Sequence, residues 1–360
     1  MKKISLFSNI FMPTGPAVPG GLEVFNYYLA KTLEQKLDNF ELLATGDSEK
    51  LNSLIPIVEK SLGYSKRADF FNTGWNYRTT AFEEFAVYAK AIDRVMCEDR
   101  MTHFSMVNFL PVYLAAKNGK KSILTMHMGI ENFSYKILFD LLTPEQINLI
   151  TFVGVSGFQM KDFSRQHEII PNGVYLGDFP FSESAKDNFV WIGRMIEPKG
   201  ATHAIKVASK LHYKLEIGGK PIGENEKYFR SDILPSLNDE ITAVGFVDKE
   251  KRPGFYSAKA LLFPSSNETF GLTVIEAMAC GTPVIAYKTG AVDEIIENGV
   301  NGYKVEQGDI RAFEEAANKI LSLPEKQYQE MRKNCRKTVE EKYSFDAVAE
   351  KYMNLYERIS

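Results

Sequence analysis

The sequence predicts an α/β protein built from two doubly wound parallel sheets, and three observations predict it. Short apolar runs alternate with amphipathic stretches along most of the chain. The runs are almost continuously apolar, as strands covered on both faces must be. Eleven such runs exceed one ordinary open sheet, and 360 residues exceed one compact core.

In chain order the strands are expected at 3–9, 40–44, 103–107, 121–126 and 150–155, then at 188–193, 213–218, 241–246, 260–264, 283–287 and 302–305. Helical periodicity falls between them, at 22–36, 80–96, 200–211, 271–279, 309–321 and 345–358. The stretch 51–80 has no clear period. Residues 174–187 (VYLGDFPFSESAKDN) are polar and turn-rich and lie between the two strand sets. The expected division is therefore 1–174, 175–343 and a closing helix at 344–360. That helix carries Val348, Tyr352, Leu355 and Tyr356 on one face.

The composition, 44% hydrophobic and 25% charged with a formal charge of −3, is that of a soluble protein. It gives no general pull toward nucleic acid or anionic lipid. Residues 1–175 hold 18 basic and 18 acidic side chains, so neither half is basic. Membrane contact, if any, is expected to be weak and peripheral. Cys97, Cys280 and Cys335 are far apart and odd in number, which fits a reducing cytoplasmic compartment without disulfides. The N-terminal MKKISLFSNIF is basic then apolar, but Ser5, Ser8 and Asn9 interrupt it, so it reads as a first strand. No stretch approaches the ~20 apolar residues of a spanning helix.

Doubly wound sheets bind ligands beyond the carboxyl ends of their strands, and two facing sheets would form a cleft. Chemistry-bearing residues collect at such ends. In Phe263–Tyr287 (FPSSNETFGLTVIEAMACGTPVIAY) a strand leads to Glu268, then to Phe270, Gly271 and Leu272 at a helix start, then to Glu276. A carboxylate among Ile275, Ala277 and Met278 needs a hydrogen-bond donor, for which a ribose diol is suited. Amides at a helix N-terminus suit a phosphate. Taken singly, Glu276 could cap a neighbouring element and Glu268 could be merely solvated. Arg194 and Lys199 flank a strand-to-helix turn in WIGRMIEPKG. Lys199 alone reads equally well as a solvated helix-start lysine. Gly20 and Gly21 follow the first strand without the GxGxxG spacing of a dinucleotide loop, and a plain tight turn fits them too. Among five histidines, His127 stands at a strand end in TMHMG; His103 reads as structural. The aromatic run Phe70–Tyr77 fits an acceptor pocket or ordinary packing.

These segments together resemble the family 4 glycosyltransferases. The resemblance rests on Glu268-x7-Glu276 with FGL and EAMACGTPVIA around it, on the Gly-Arg…Lys-Gly of 191–200, on Pro171–Val174 (PNGV) and on Pro19–Glu23 (PGGLE). It is dense over 150–305 and thinner before. Where the family often has Asp after PNGV, this chain has Tyr175.

The resemblance implies two Rossmann-like domains in the GT-B arrangement and a retaining sugar transfer. A hexose would pass from a nucleotide-diphosphate donor, UDP ahead of GDP, to a hydroxyl of a glycan, lipid-linked or small-molecule acceptor. It implies that Glu268 binds the donor sugar and Glu276 the ribose, and that Arg194 and Lys199 offset the pyrophosphate charge. The amides of Gly20, Gly21, Phe270, Gly271 and Leu272 would complete a phosphate cradle, and His127 would lie near the sugar. The nucleotide sugar is then a co-substrate, with no cofactor and no metal, in keeping with the lack of a DxD or His/carboxylate ligand cluster. The alternatives are a nucleotide-sugar 2-epimerase of the same fold and a non-catalytic sugar-nucleotide-binding relative.

Overall fold

The computed structural model describes all residues except Met1, Pro19, 63–84, Lys90, Arg94, Cys97, Glu98, Ile222, Glu224 and Ser360. The aromatic run at 70–77 lies outside the described residues. The chain divides into two compact units, Met1–Asn172 with Phe345–Ser360, and Gly173–Ser344.

The first unit holds a seven-stranded sheet of β1 (Lys3–Phe7), β2 (Phe40–Thr45), β3 (Leu54–Val58), β4 (Arg100–Ser105), β5 (Ser122–Met126), β6 (Ile150–Gly154) and β7 (His167–Ile169). Its order is β3-β2-β1-β4-β5-β6-β7 and every pairing is parallel. The chain reverses direction across the sheet between β1 and β4, which places a ligand crevice beyond their carboxyl ends. β2, β4 and β5 are buried along their whole length. The sequence did not announce β3, because Pro56 interrupts it. A proline lacks the ladder donor and is tolerated at a sheet edge, where β3 lies. Helices α1 (Gly21–Leu33), α2 (Leu110–Lys117) and α3 (Phe133–Leu141) belong to this unit.

The second unit holds β8 (Lys186–Ile192), β9 (Leu215–Gly218), β10 (Ile241–Gly245), β11 (Ala258–Phe263), β12 (Val284–Tyr287) and β13 (Gly302–Val305). Their order is β10-β9-β8-β11-β12-β13, again all parallel, with the switch point between β8 and β11. Helices α4 (Ala201–Lys210), α5 (Leu272–Ala279), α6 (Ile310–Leu321) and α7 (Glu325–Lys342) accompany it. In α6, Phe313, Ala316, Ala317 and Ile320 recur at helical spacing and are buried, while Asp309 accepts the Ala312 amide at 3.0 Å as N-cap.

The last helix, α8 (Phe345–Ile359), belongs to the first unit. Val348, Tyr352, Leu355 and Tyr356 are all buried. Fully buried His103 bonds the Tyr356 hydroxyl through Nδ1 and Thr125 Oγ1 through Nε2, each at 2.7 Å, and Tyr352 meets Thr125 at 2.9 Å. His103 therefore ties α8 to β4 and β5. Among the described residues no helix is long and apolar enough to cross a membrane.

Candidate active site

The site in the second unit is built from the loops that follow β8 and β11, the two strands at its switch point. After β8 the chain passes Gly193 and Arg194 and makes a short turn, Glu197–Lys199, closed by Gly200. Gly200 has φ +71, and a Cβ there would sit 2.2 Å from the Pro264 carbonyl oxygen. Only glycine fits both the left-handed backbone and that approach. The turn is fastened to the loop after β11: the Ser266 amide donates to the Pro198 carbonyl at 2.8 Å, and Ser265 Oγ at 3.2 Å. Trp191 Nε1 donates to the Lys199 carbonyl at 3.0 Å.

This clamp brings Lys199 Nζ onto Glu268 Oε1, with both side chains only 17% and 15% exposed. Glu268 is not merely solvated. Its amide donates to Thr289 Oγ1 at 3.2 Å, and a Cβ on Gly290 would come within 2.8 Å of its carbonyl oxygen. Sequence reasoning missed Thr289 and Gly290, whose signal was a Thr-Gly pair just beyond the β12 strand. Arg194 lies at the same strand end, exposed, and among the described residues its guanidinium meets no acid.

Glu276 sits one turn into α5, and its carboxylate has protein partners. The Tyr256 hydroxyl donates to Oε2 at 2.6 Å, and Arg252 lies 3.3 Å from Oε1. The donor that the apolar surroundings of Glu276 demanded is thus supplied within the chain. Arg252 and Tyr256 are four apart on the single turn Arg252–Tyr256, and that spacing was their only signal. Burial, and then the Glu276 charge, hold the Tyr256 hydroxyl far above its ordinary titration. The same two causes push the Cys280 thiol up to about 12, so this buried cysteine is no nucleophile.

α5 begins at Leu272, so Phe270 and Gly271 precede the helix rather than open it. Gly271 is its N-cap at φ +99, and no side chain caps it. Phe270 is buried with its ring edge-on to Tyr343 at 5.9 Å.

In the first unit, Gly20 is the N-cap of α1 and Gly21 its first residue. A Cβ at Gly20 would lie 1.9 Å from Glu23 Oε2 and 2.3 Å from the Met12 methyl. Gly20 thus has a packing reason of its own: buried Glu23 folds back over it and accepts from Asn9 at 3.2 Å. His127 follows β5. Its Nε2 lies 2.9 Å from Ser105 Oγ, and Phe25 packs edge-on at 4.9 Å between centroids. Among the described residues, no group of three His, Cys, Asp or Glu could hold a metal ion.

Burial lowers His127 to about 4, partly opposed by the Asn172 side chain, and lowers His103 to about 3, aided by His127. The unfolded chain protonates histidine near pH 6.5. Below that value it binds protons the native state refuses, so stability must fall as the pH drops. The fall should begin near 6.5 and, for His127, be complete near 4, at a cost of at most ~3 kcal/mol. Urea unfolding at stepped pH measures it, and His127→Gln should flatten part of the slope. A slope unchanged in that variant would contradict the assignment.

Residues 180–338 match the model of the family described as glycosyl transferases group 1. An uncharacterised glycosyltransferase of Methanocaldococcus jannaschii is 31% identical over 175 residues, 46% of this chain and 44% of that protein. The chain spans about half the length of the curated relatives it matches first. Among solved structures, sucrose-phosphate synthase from Thermosynechococcus elongatus has a TM-score of 0.72 at 20% identity, covering 100% of this chain and 99% of that one. Anabaena HepE, solved with UDP and glucose, has a TM-score of 0.70 at 15% identity and full coverage of both chains, 100% and 100%. The fold, two parallel-sheet α/β units, is GT-B, and the segment 180–338, with Arg194, Lys199, Glu268 and Glu276 inside it, is similar to the glycosyl transferases group 1.

Proposed function

We propose that the chain is a retaining glycosyltransferase of the family 4 kind. It would move a hexose from a nucleotide-diphosphate donor, UDP ahead of GDP, to a hydroxyl of a glycan, lipid-linked or small-molecule acceptor. The observation that carries this is the Lys199–Glu268 pair, clamped at the switch point between β8 and β11 with Arg194 beside it. The leaving group of such a transfer is a nucleoside diphosphate, whose growing charge must be met by cations or aligned amides. Lys199 spends one ammonium donor on Glu268 and keeps the others for phosphate oxygens. The second Glu268 oxygen is left for sugar hydroxyls. The uncapped amides before α5 add to the cradle, and Glu276, fixed by Tyr256 and Arg252, offers acceptors to a ribose diol.

The proposed transfer is same-face, with the departing phosphate taking the acceptor's proton, and needs no metal. Gly20, Gly21 and His127 of the first unit are proposed to serve the same donor. UDP in HepE supports the choice of base. We place the reaction in the cytoplasm, with at most weak contact at the membrane face.

Thermal shifts with UDP, GDP, ADP and pyrophosphate, with and without EDTA, test the reading. A nucleotide at a hundred times its Kd stabilises by about 2.7 kcal/mol, or several degrees at this size. A selective shift that survives EDTA is expected. No shift with any nucleotide would move weight to a non-catalytic relative.

A further inference from the structure

Gln159 commits its side-chain amide to the two residues that flank His127. Its Nε2 donates to the Met126 carbonyl at 2.7 Å and to the Met128 carbonyl at 2.6 Å. Its Oε1 accepts the Val155 amide at 2.7 Å. Carbonyls only accept and a backbone amide only donates, so the side-chain amide has one possible orientation and both its hydrogens are used. Gln159 is only 6% exposed. The parallel pairing of β5 with β6 ends at Met126 and Gly154, so His127 lies just past the last strand contact, and Gln159 carries the connection beyond it. A Cβ at Gly154 would lie 2.1 Å from Met160 Cγ and 3.1 Å from Gln159 Oε1, so a glycine there lets the turn that bears Gln159 approach. Ser156-x-x-Gln159 has the spacing of a capping box for the short helical turn Gly157–Met160, and Ser156 Oγ accepts the Gln159 backbone amide at 3.1 Å. A glutamate would serve such a box, and would accept from Val155, equally well. Two donors aimed at β5 require the amide.

We infer that Gln159 is a positioning residue: acting through His127, it fixes the backbone on both sides of that histidine, so that the imidazole is in place before a donor arrives. Gln159 holds the main chain, while Ser105 at Nε2 and Phe25 edge-on to the ring hold the side chain. A backbone pinned at residues 126 and 128 leaves residue 127 little freedom to lose on binding. Misplacing such a group by about an ångström costs up to about a hundredfold. The ligand half of this inference rests on the proposed sugar-transfer function, in which His127 serves the donor; the clamp itself does not.

The test is the imidazole 15N–1H correlation spectrum of the labelled full chain, with His127 assigned by its loss in His127→Gln and His203 of the second unit as internal control. Gln159→Met keeps the length of the side chain and removes all three bonds. Gln159→Glu keeps the acceptor for Val155 and offers at most one hydrogen, when protonated. Both should shift or split the His127 signal and leave His203 where it is. A His127 signal unmoved in either folded variant overturns the clamp and leaves Gln159 a cap. In the wild type both Nε2 hydrogens of Gln159 should exchange slowly with solvent, and fast exchange overturns the clamp without any variant. By titration calorimetry Gln159→Met should weaken UDP-glucose about tenfold and spare UDP. In a His127→Gln background the same change should weaken it no further, because a residue acting through His127 has nothing left to act on. Equal losses in the two backgrounds overturn the action through His127. If UDP-glucose does not bind the wild type, the proposed function fails for that donor, while the spectrum still decides the clamp.

Discussion

Lys199→Ala is expected to lower kcat by about a hundredfold or more, with the donor KM changed far less. The estimate follows from one charge-assisted hydrogen bond, roughly 1.5–3 kcal/mol, or about ten- to over a hundredfold. The upper end applies because the side chain is only 17% exposed and would meet charge that grows as the diphosphate leaves. The backbone around it should not move. Gly200, the Ser265 and Ser266 bonds to Pro198 and the Trp191 bond to the Lys199 carbonyl are all independent of the ammonium. The variant also strips Glu268 of its cation at a site only 15% exposed, so it should unfold at a lower temperature. Glu268→Gln in the same chain should restore much of that stability and none of the turnover. This separates the structural from the catalytic share of the pair. Unchanged turnover in Lys199→Ala would sink the phosphate role.

The switch-point geometry was legible because the strands flanking it are unusually plain. FPSS and WIGR each end an apolar run with small or polar residues, and the sequence placed Lys199 and Glu268 beyond them without needing contacts. What lay hidden were partners whose meaning is only spatial. Beyond their four-residue spacing, RPGFY does not mark Arg252 and Tyr256 as the donors to a glutamate 24 and 20 residues later. Asn26 and Ser105 are ordinary polar residues until β4 and α1 bring them together over 79 residues. Helix α7 was missed for a related reason. Its buried stripe of Tyr328, Met331, Cys335 and Val339 includes Arg332, which reads as surface. In the fold that guanidinium is fully buried and donates to the carbonyls of Gly281, Glu183 and Ser182. A charged side chain satisfied by carbonyls breaks the apolar period without breaking the helix.

Glu276→Ala should act on affinity where Lys199→Ala acts on rate. The ribose is as far from the breaking bond in the transition state as in the bound donor, so contacts to it are uniform binding and appear in KM. A carboxylate accepting from two hydroxyls, at roughly 1.5–3 kcal/mol each, predicts a donor Kd raised by about a hundredfold or more, with kcat within a fewfold. The partners sharpen the test. Tyr256 and Arg252 hold Glu276 before any donor arrives, so the site carries little ordering cost on binding. Tyr256→Phe removes one anchor and should raise Kd by a few fold. Glu276→Gln keeps an acceptor for Tyr256 but leaves Arg252 without its acid, and should fall between the two. Titration calorimetry with UDP and UDP-glucose on the three variants gives the order Ala weaker than Gln weaker than Phe. If Glu276→Ala bound nucleotide as tightly as the wild type, Glu276 would be no more than the acid that Tyr256 and Arg252 pack against, and the ribose would lie elsewhere.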